Sequence, residues 1–287
     1  MKKNLFSLFS ATIIAMGFIH GATSQSAAGP IFHDGFDVAD FTGYQMPPSQ
    51  TRMPLPKSPN WWSRASDKSI DIEMDEQNRF GLGTGNQVLR LERPVGTEGS
   101  FNLLSENFTP ITAGVISFDF LVDSIAGTKG LLFTFATGVE SGKIDSYNNS
   151  KMTGSLFILD GTINRGKSTT IYSGPGDLFT FNKAQKNTLT IVFNNSSSLY
   201  SYGSEEVVSG TMHVLLNGVF QASWAISEVE NSDIGDAVNG LWLQFPSASS
   251  GLVRLDNITV IPEPGLNACV LTGLGVIGAL AGRKALR

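Results

Sequence analysis

The sequence predicts an all-β protein built as a two-sheet sandwich, and three observations support this. Apolar and polar residues alternate along many short segments, which is the period of a half-buried strand. Glycine, asparagine, aspartate and proline bound these segments, as turn residues do. Only 16% of the 287 residues are charged while 31 are glycine, and no helical period persists beyond a turn or two.

The alternating segments follow one another along the body of the chain. In the second of them Ile70, Ile72 and Met74 share one face, which we expect to be buried. Asn217-Gly218 predicts a hairpin, because both residues tolerate the positive φ that a type I′ turn needs. About a dozen strands are expected at this spacing. The segments are 32–36, 69–75, 115–122, 130–137, 155–159, 188–193, 211–216, 219–222, 241–245 and 253–260.

Residues 1–28 have the pattern of a secretory signal peptide. Lys2 and Lys3 provide the positive start, an apolar run follows, and small residues end the segment. An N-terminal membrane anchor is the alternative, but the run is shorter than the roughly 20 residues that a span needs. We therefore expect export, with signal peptidase as a partner.

The C-terminal segment, 262–287, combines three features in a set order. A Pro-Glu-Pro motif comes first, an apolar stretch at 265–282 is long enough to cross a bilayer, and basic residues end the chain. The basic end would stay on the cytoplasmic side. The motif and the basic residues are Pro262, Glu263, Pro264, Arg283, Lys284 and Arg287.

This arrangement resembles the PEP-CTERM sorting signal of Gram-negative bacteria. The resemblance implies that an exosortase-type enzyme recognises the Pro-Glu-Pro motif, removes the tail, and releases or attaches the protein alongside exopolysaccharide production. It also implies transient anchoring in the inner membrane through 265–282, then a location at the cell envelope, outer surface or extracellular matrix. The chain ends in Arg-Lys-Ala-Leu-Arg and not in an unbroken arginine run. An ordinary C-terminal anchor is the alternative.

One domain, 29–261, is expected between these ends. The whole chain carries a formal charge of −5. Removing the two ends, which are more basic, leaves a body with a formal charge of about −9. A body with this negative charge has no electrostatic attraction for nucleic acid, and it does not attract acidic polysaccharides. The single cysteine, Cys269, lies in the tail, which excludes an intrachain disulfide and a cysteine-built zinc site.

The body also resembles a concanavalin-like or laminin-G-like jelly roll. The resemblance rests on the first and last predicted strands, the 188–193 strand and the Asn217-Gly218 hairpin; the closing strand contains Leu-Asp-Asn-Ile-Thr-Val. It implies that the first and last strands pair. It leaves the function open, because one fold carries many activities.

Asp71 and Glu73 are the strongest catalytic candidates. Laminarinase-type retaining glycosidases of this fold carry their carboxylates on one strand as Glu-x-Asp-x-Glu, and the chemistry needs two carboxyl groups about 5 Å apart. Here Ser69 stands in the place of the first glutamate, and a serine cannot act as the carboxylate nucleophile. Neither His33 nor His213 has a second histidine at the spacing of metal ligands. The sequence also has no Gly-x-Ser-x-Gly nucleophile elbow to pair with either of them. We therefore predict no catalytic residues and a solvent-facing polar edge at this strand.

Calcium is the one cofactor that the sequence favours. Asp34, Asp37 and Asp256 would converge if the first and last strands pair, and calcium prefers carboxylate and carbonyl oxygens. The alternative is that these aspartates cap turns.

Aromatic residues near loop-like segments suggest a surface for sugars. Segment 42–60 contains five prolines and predicts an ordered surface loop or a polyproline wrap that could overhang a binding face. A flat ring can stack on a sugar. Burial of Trp61 under the proline-rich loop is the alternative, and Trp224 and Trp242, which lie in apolar strands, are expected in the core. The candidate rings are Tyr44, Trp61, Trp62 and Tyr172.

Together these features predict an exported, surface- or matrix-associated, non-enzymatic protein that binds extracellular polysaccharide. Two alternatives stay open. One is a polysaccharide hydrolase or lyase of jelly-roll fold whose site is assembled from distant residues. The other is a structural matrix protein that assembles with itself.

Overall fold

The computed structural model describes residues 29–36, 53–55, 58–64, 69–97, 99–105, 107–137, 152–167, 170–171, 176–183, 185–203, 205–226 and 234–263. These all belong to one compact unit, Ala28–Glu263. The predicted signal peptide and the predicted span 265–282 lie outside the described residues. No helix long and apolar enough to cross a membrane occurs in the described part.

The described residues form β-strands and no helix, which confirms the all-β class. In chain order the strands are β1 (Phe32–Asp34), β2 (Met53–Leu55), β3 (Ser58–Arg64), β4 (Ser69–Met74), β5 (Gln87–Arg93), β6 (Phe101–Ser105), β7 (Ala113–Gly127), β8 (Leu131–Ala136), β9 (Met152–Ile158), β10 (Thr162–Lys167), β11 (Thr170–Ile171), β12 (Leu178–Thr180), β13 (Asn187–Asn194), β14 (Tyr200–Tyr202), β15 (Glu205–Val207), β16 (Thr211–Leu216), β17 (Val219–Ala225), β18 (Gly240–Phe245) and β19 (Ser249–Pro262).

The first sheet is antiparallel and has the order β17-β16-β13-β7-β19-β5-β4. Strand β7 pairs with β19 along nearly its whole length. The other edge of β19 is shared, with β5 opposite Gly251–Leu255 and β1 opposite Ile258–Val260. A register shift between Asp256 and Thr259 separates the two partners, and Asn257 there has a φ of 51°. The first and last strands therefore pair, as the sequence predicted.

The second sheet has the order β11-β10-β9-β8-β18-β6-β3-β2, with β12 also paired to β10. The two sheets pack face to face. Phe118 of the first sheet and Phe133 of the second have ring centroids 4.6 Å apart, and Phe135 and Phe193 meet at 5.1 Å. Alternate residues of nearly every long strand enter this shared core, so the fold is a two-sheet sandwich.

Most sequence predictions for the strands are confirmed, and two are wrong. Asn217 and Gly218 have φ values of 50° and 77° and form the expected type I′ turn. Met74 is 43% exposed because it ends β4, beyond the edge of the core, so its predicted burial is wrong. Part of the predicted loop 42–60 is strand, since β2 and the start of β3 lie there. Proline at position 54 is tolerated because β2 is an edge strand.

We expect Gly154→Ala to destabilise the fold, because Gly154 of β9 lies under the ring of Phe135. An added Cβ would approach Cζ of that ring to 2.2 Å, and the ring is fully buried. Overpacking of this kind lowers the free energy of unfolding by about 1–3 kcal/mol. Urea unfolding of the full chain measures it.

Gly85→Ala is the matched control, because no atom lies within 4 Å of its added Cβ. Its effect should stay within about 0.5 kcal/mol. An equal loss of unfolding free energy in both variants would show that the Phe135 ring does not limit the size of the side chain at position 154.

Candidate functional site

Charged side chains form a row on the outer face of the first sheet. Asp71 of β4 is the Cα partner of Arg90 of β5, which is in turn the partner of Arg254 of β19. Their strand neighbours, Ile70 and Leu255 among them, enter the core. Because side chains alternate between faces, the charged residues must lie on the outer face.

Arg90 is the centre of this row. Its Nη1 donates to Asp71 Oδ2 at 3.2 Å, its Nε lies 3.5 Å from Glu73 Oε2, and its Nη2 donates to Glu92. The guanidinium fork therefore holds three carboxylates from two adjacent strands.

Arg254 extends the network toward the middle of the sheet. Its Nε donates to Glu73 Oε1, and its guanidinium also pairs with Asp123 of β7. Arg79, in the turn after β4, donates to the other Asp123 oxygen at 2.5 Å. Carboxylates and guanidinium groups thus alternate across four strands of the sheet.

These contacts determine what the two alternating carboxylates can do chemically. Each oxygen of Glu73 contacts a different guanidinium group, so two arginine side chains hold this carboxylate in one orientation. Asp71 keeps one buried oxygen, Oδ1, without a hydrogen-bond partner among the described residues. Burial raises the pKa of Asp71, although Arg90 opposes the shift. Fixed charged groups of this kind can hydrogen-bond to a ligand.

An open cleft of about 510 Å³ adjoins this network at the end of β4. We call it the β4 cleft. Its volume is in the range of small-molecule sites. Four of its lining residues are acidic and two are basic, and the turn after β4 forms its rim. The lining residues are Asp71, Glu73, Met74, Asp75, Glu76, Gln77, Arg79 and Arg254.

Asp34 and Trp61 lie in the interior of the sandwich. Trp61 is fully buried, and its Nε1 donates to Asp34 Oδ2 at 3.0 Å. The other oxygen of Asp34 accepts the backbone N–H of Phe36 at 2.9 Å. Phe32 packs edge-on against the indole ring at 5.7 Å. The indole is therefore a core side chain and presents no open face to a sugar in this structure.

Asp256 lies on the opposite face of the same sheet. It is fully buried, and its carboxylate accepts Asn86 Nδ2 at 2.9 Å and the backbone N–H of Asn257 at 2.7 Å. Asp119 is its Cα partner on β7. Because Leu255 enters the core, its neighbour Asp256 faces outward while Asp34 faces inward.

The expected convergence of Asp34 with Asp256 is therefore wrong, although their strands do pair. Asp37, the third predicted ligand, lies outside the described residues. No group of three or more histidine, cysteine or acidic side chains suited to a metal occurs among the residues described. Calcium binding stays a sequence prediction.

The other predicted sugar-binding rings are described only in part. Tyr44 and Tyr172 lie outside the described residues. For Trp62 only the backbone is described, in β3 and opposite Leu104 of β6. Trp242 is buried as expected, but in a smaller cluster with Leu132 that is separate from the shared core.

The start of the predicted sorting motif continues the last strand. Pro262 ends β19 opposite Gly114, one residue beyond the predicted domain end. The backbone N–H of Glu263 donates to Ala113 at 3.1 Å. Burial and then the Glu263 charge raise the pKa of Tyr200 to about 12. Pro264, Arg283, Lys284 and Arg287 lie outside the described residues.

The basic half of the charged network was missed by sequence reasoning. Arg90 lies between buried Leu89 and Leu91, and Arg254 lies between buried Val253 and Leu255, so the alternation places both arginines on outer faces. Which strands lie side by side was not readable from this pattern, because β19 pairs with β5 although the two are far apart in the chain.

No family model matches the chain, and no curated protein matches it. Solved structures are similar to it at low identity. A carbohydrate esterase of a Shiga toxin-encoding bacteriophage is 15% identical over 71% of this chain and 90% of that one, with a TM-score of 0.45. An endo-β-1,3(4)-glucanase of glycoside hydrolase family 16 is 12% identical over 83% and 92%, with a TM-score of 0.43. A Bacillus subtilis protein with a galectin-like fold is 9% identical over 82% and 96%, with a TM-score of 0.44. These values are too low to carry over a function.

Asp34→Ala should destabilise the protein, because it removes the acceptor of two buried donors, Trp61 Nε1 and Phe36 N. Leaving buried donors unpaired lowers the free energy of unfolding by about 1–3 kcal/mol each. His33→Ala, in the same strand, removes only one exposed hydrogen bond, to Thr259 Oγ1, and should change it by about 1 kcal/mol or less. Chemical denaturation of the three proteins makes the comparison. Similar values for both variants would contradict a structural role for Asp34.

Asp71→Asn should change how stability depends on pH. Burial raises the pKa of Asp71, so the folded chain binds this proton more tightly than the unfolded chain. Stability that this group contributes at low pH is therefore lost as pH rises through the raised pKa. The wild type should lose stability relative to Asp71→Asn over the pH range above about 4, the ordinary pKa of an aspartate. Urea unfolding of both proteins across that range tests this, and a relative gain by the wild type would contradict it.

Proposed function

We propose that this chain is an exported, surface- or matrix-associated protein that binds extracellular polysaccharide in the β4 cleft without cleaving it. The supporting observation is that arginine side chains hold the carboxylates of Asp71 and Glu73. They alternate on one strand as a catalytic pair would, yet Arg90 bridges them and Arg254 holds the second oxygen of Glu73. Fixed carboxylates and guanidinium groups offer directional hydrogen bonds to sugar hydroxyls.

The charge of the cleft selects the class of polysaccharide. Its lining has four carboxylates against two guanidinium groups, and Glu76 and Gln77 are exposed at the rim. Such a surface repels uronate polymers and favours neutral or amino-sugar polymers. Met74, half-exposed beside the rim, offers an apolar contact to a sugar ring.

Export and surface attachment are supported by the two ends of the sequence. The signal-peptide pattern at 1–28 and the PEP-CTERM resemblance at 262–287 would place the body outside the cell. Pairing of β1 with β19 supports the jelly-roll resemblance of that body.

A binding assay on immobilised neutral, amino-sugar and uronate polysaccharides tests the proposal with the full chain in mild detergent. We expect retention on a neutral or amino-sugar polymer and no release of new reducing or unsaturated ends. The double variant Glu76→Ala/Gln77→Ala should weaken retention about tenfold or more, because it removes rim hydrogen bonds worth about 1 kcal/mol each. Glu205→Ala/Glu206→Ala, on exposed β15, is the matched control and should bind normally.

Three results would contradict parts of this proposal. Retention on none of the polymers would remove the binding function. Normal retention by the rim variant would place the site elsewhere. Release of chain ends would favour the hydrolase or lyase alternative.

A further inference from the structure

Four neighbouring strands of the first sheet begin or end at the same end of the sandwich. Pro262, at the end of β19, is the Cα partner of Gly114 in β7. The first residue of β7, Ala113, is the partner of Asn194 at the end of β13, and β13 in turn pairs there with Thr211 at the start of β16. We call this part of the molecule the tail end, because the C-terminal segment leaves the described body here.

The loops of the tail end carry exposed aliphatic side chains. Leu199 is 56% exposed, Val208 50% and Ile234 53%. Leu199 comes immediately before β14, and Val208 immediately after β15. Side chains of this kind gain free energy when they leave water, so a group of them at one end marks a contact surface.

Hydrogen bonds from Asn194 bring the first two of these residues together. Its Nδ2 donates to the carbonyl of Ser198 at 2.7 Å and to that of Val207 at 2.8 Å. These two residues directly precede Leu199 and Val208 in the chain. Leu199 and Val208 therefore leave the last turn of the sheet from adjacent points.

Ile234 reaches the same loops from another part of the chain. A Cβ added to Gly210, which follows Val208 closely, would lie 3.5 Å from Cδ1 of Ile234. The next backbone N–H, that of Gly235, donates to the carbonyl of Asn195 at 2.6 Å. The three aliphatic side chains thus form one patch, which we call the tail-end patch.

The chain itself limits how far the tail end can be from a membrane that holds the C-terminal segment. The backbone N–H of Glu263 donates to Ala113, so strand pairing continues to residue 263. The predicted span begins at Gly265, and only Pro264 lies between. Because consecutive Cα atoms are about 3.8 Å apart, Glu263 lies within about 8 Å of the first residue of the span. A span inserted in a bilayer therefore holds the tail end at the lipid surface.

The charges near the tail end determine which lipid surface fits. Glu263 and Asp236 are acidic groups of the described tail end, and the whole body is acidic. Anionic headgroups would be repelled, so the patch fits zwitterionic headgroups through apolar contact.

We propose that the tail end rests on a zwitterionic lipid surface while the C-terminal segment is in the membrane, with Leu199, Val208 and Ile234 inserted among the headgroups. The inference rests on the anchoring part of the proposed function. Three aliphatic side chains are too few to bind a membrane alone. The short tether keeps them at a high effective concentration beside it, so their apolar contact suffices to orient the body.

This orientation has a consequence for the β4 cleft. Arg254, which lines the cleft, precedes Pro262 on the same strand. At about 3.4 Å per residue, the two residues are roughly 27 Å apart along β19. The cleft is therefore held away from the lipid, where a polysaccharide outside the membrane can reach it.

Fluorescence quenching by nitroxide-labelled lipids tests the orientation, with the full chain reconstituted in phosphatidylcholine vesicles and no polysaccharide present. The native Cys269 lies in the predicted span, so a fluorophore on it reports whether the span enters the bilayer. For the body, Cys269→Ala is combined with Leu199→Cys, which moves the label to the tail-end patch. We expect strong quenching at both positions.

Val95→Cys in the same Cys269→Ala background is the matched control. Val95 is also aliphatic and is 85% exposed. It follows Arg93, whose Cα partner is Gly251 near the start of β19, so it lies roughly 40 Å from the tail end. Quenching at position 199 should exceed that at position 95 about threefold or more, because only the patch reaches the headgroups.

Val208→Asp/Ile234→Asp tests the patch itself, since it places two charges beside the label at position 199. Quenching there should fall about twofold or more, because carboxylates oppose insertion among the headgroups. Circular dichroism verifies that each variant folds.

Three results would overturn the proposal. Equal quenching at positions 199 and 95 would show that the body has no fixed orientation. Unchanged quenching in the double variant would show that the patch makes no lipid contact. No quenching at Cys269 would remove the span on which the inference rests. Because no polysaccharide is present, none of these results bears on binding in the β4 cleft.

Discussion

The pairing of β19 with β7 is the constraint on which the rest of the structure depends. Strand β19 comes from the end of the body, and its second edge holds both β5 and β1. It therefore brings together segments that begin near residues 32, 87, 113 and 249. The break in register at Asp256 and Thr259 lets one strand serve two partners on the same side. Without this pairing, neither the core nor the charged row would form.

Three buried aspartates inside this frame have structural partners. Asp34 satisfies two donors in the core, and Asp256 is bonded through Asn86 and Asn257. Asp119, opposite Asp256, accepts Thr188 Oγ1 at 2.5 Å and Lys186 Nζ at 3.2 Å. These bonds offset the desolvation of each carboxylate. Asp34 and Asp256, two of the aspartates that the sequence suggested as ligands, thus have structural hydrogen bonds.

The two ends of the first sheet differ in charge, and the proposed binding site lies at the charged end. At β4 the carboxylates and guanidinium groups form a polar cleft that suits hydroxyl-rich ligands. At β17 the edge strand carries no charged residue.

The sequence alone determined the local features of this protein. Alternation predicted most of the long strands, and Asn217-Gly218 predicted its turn, because each depends on neighbouring residues only. The tertiary structure decided the burial of Trp61, the exposure of Met74, and the opposite faces of Asp34 and Asp256. It also decided that Arg90 and Arg254 hold Glu73. These depend on which strands pair and in which register, and a shift of one residue in register would have moved every side chain to the other face.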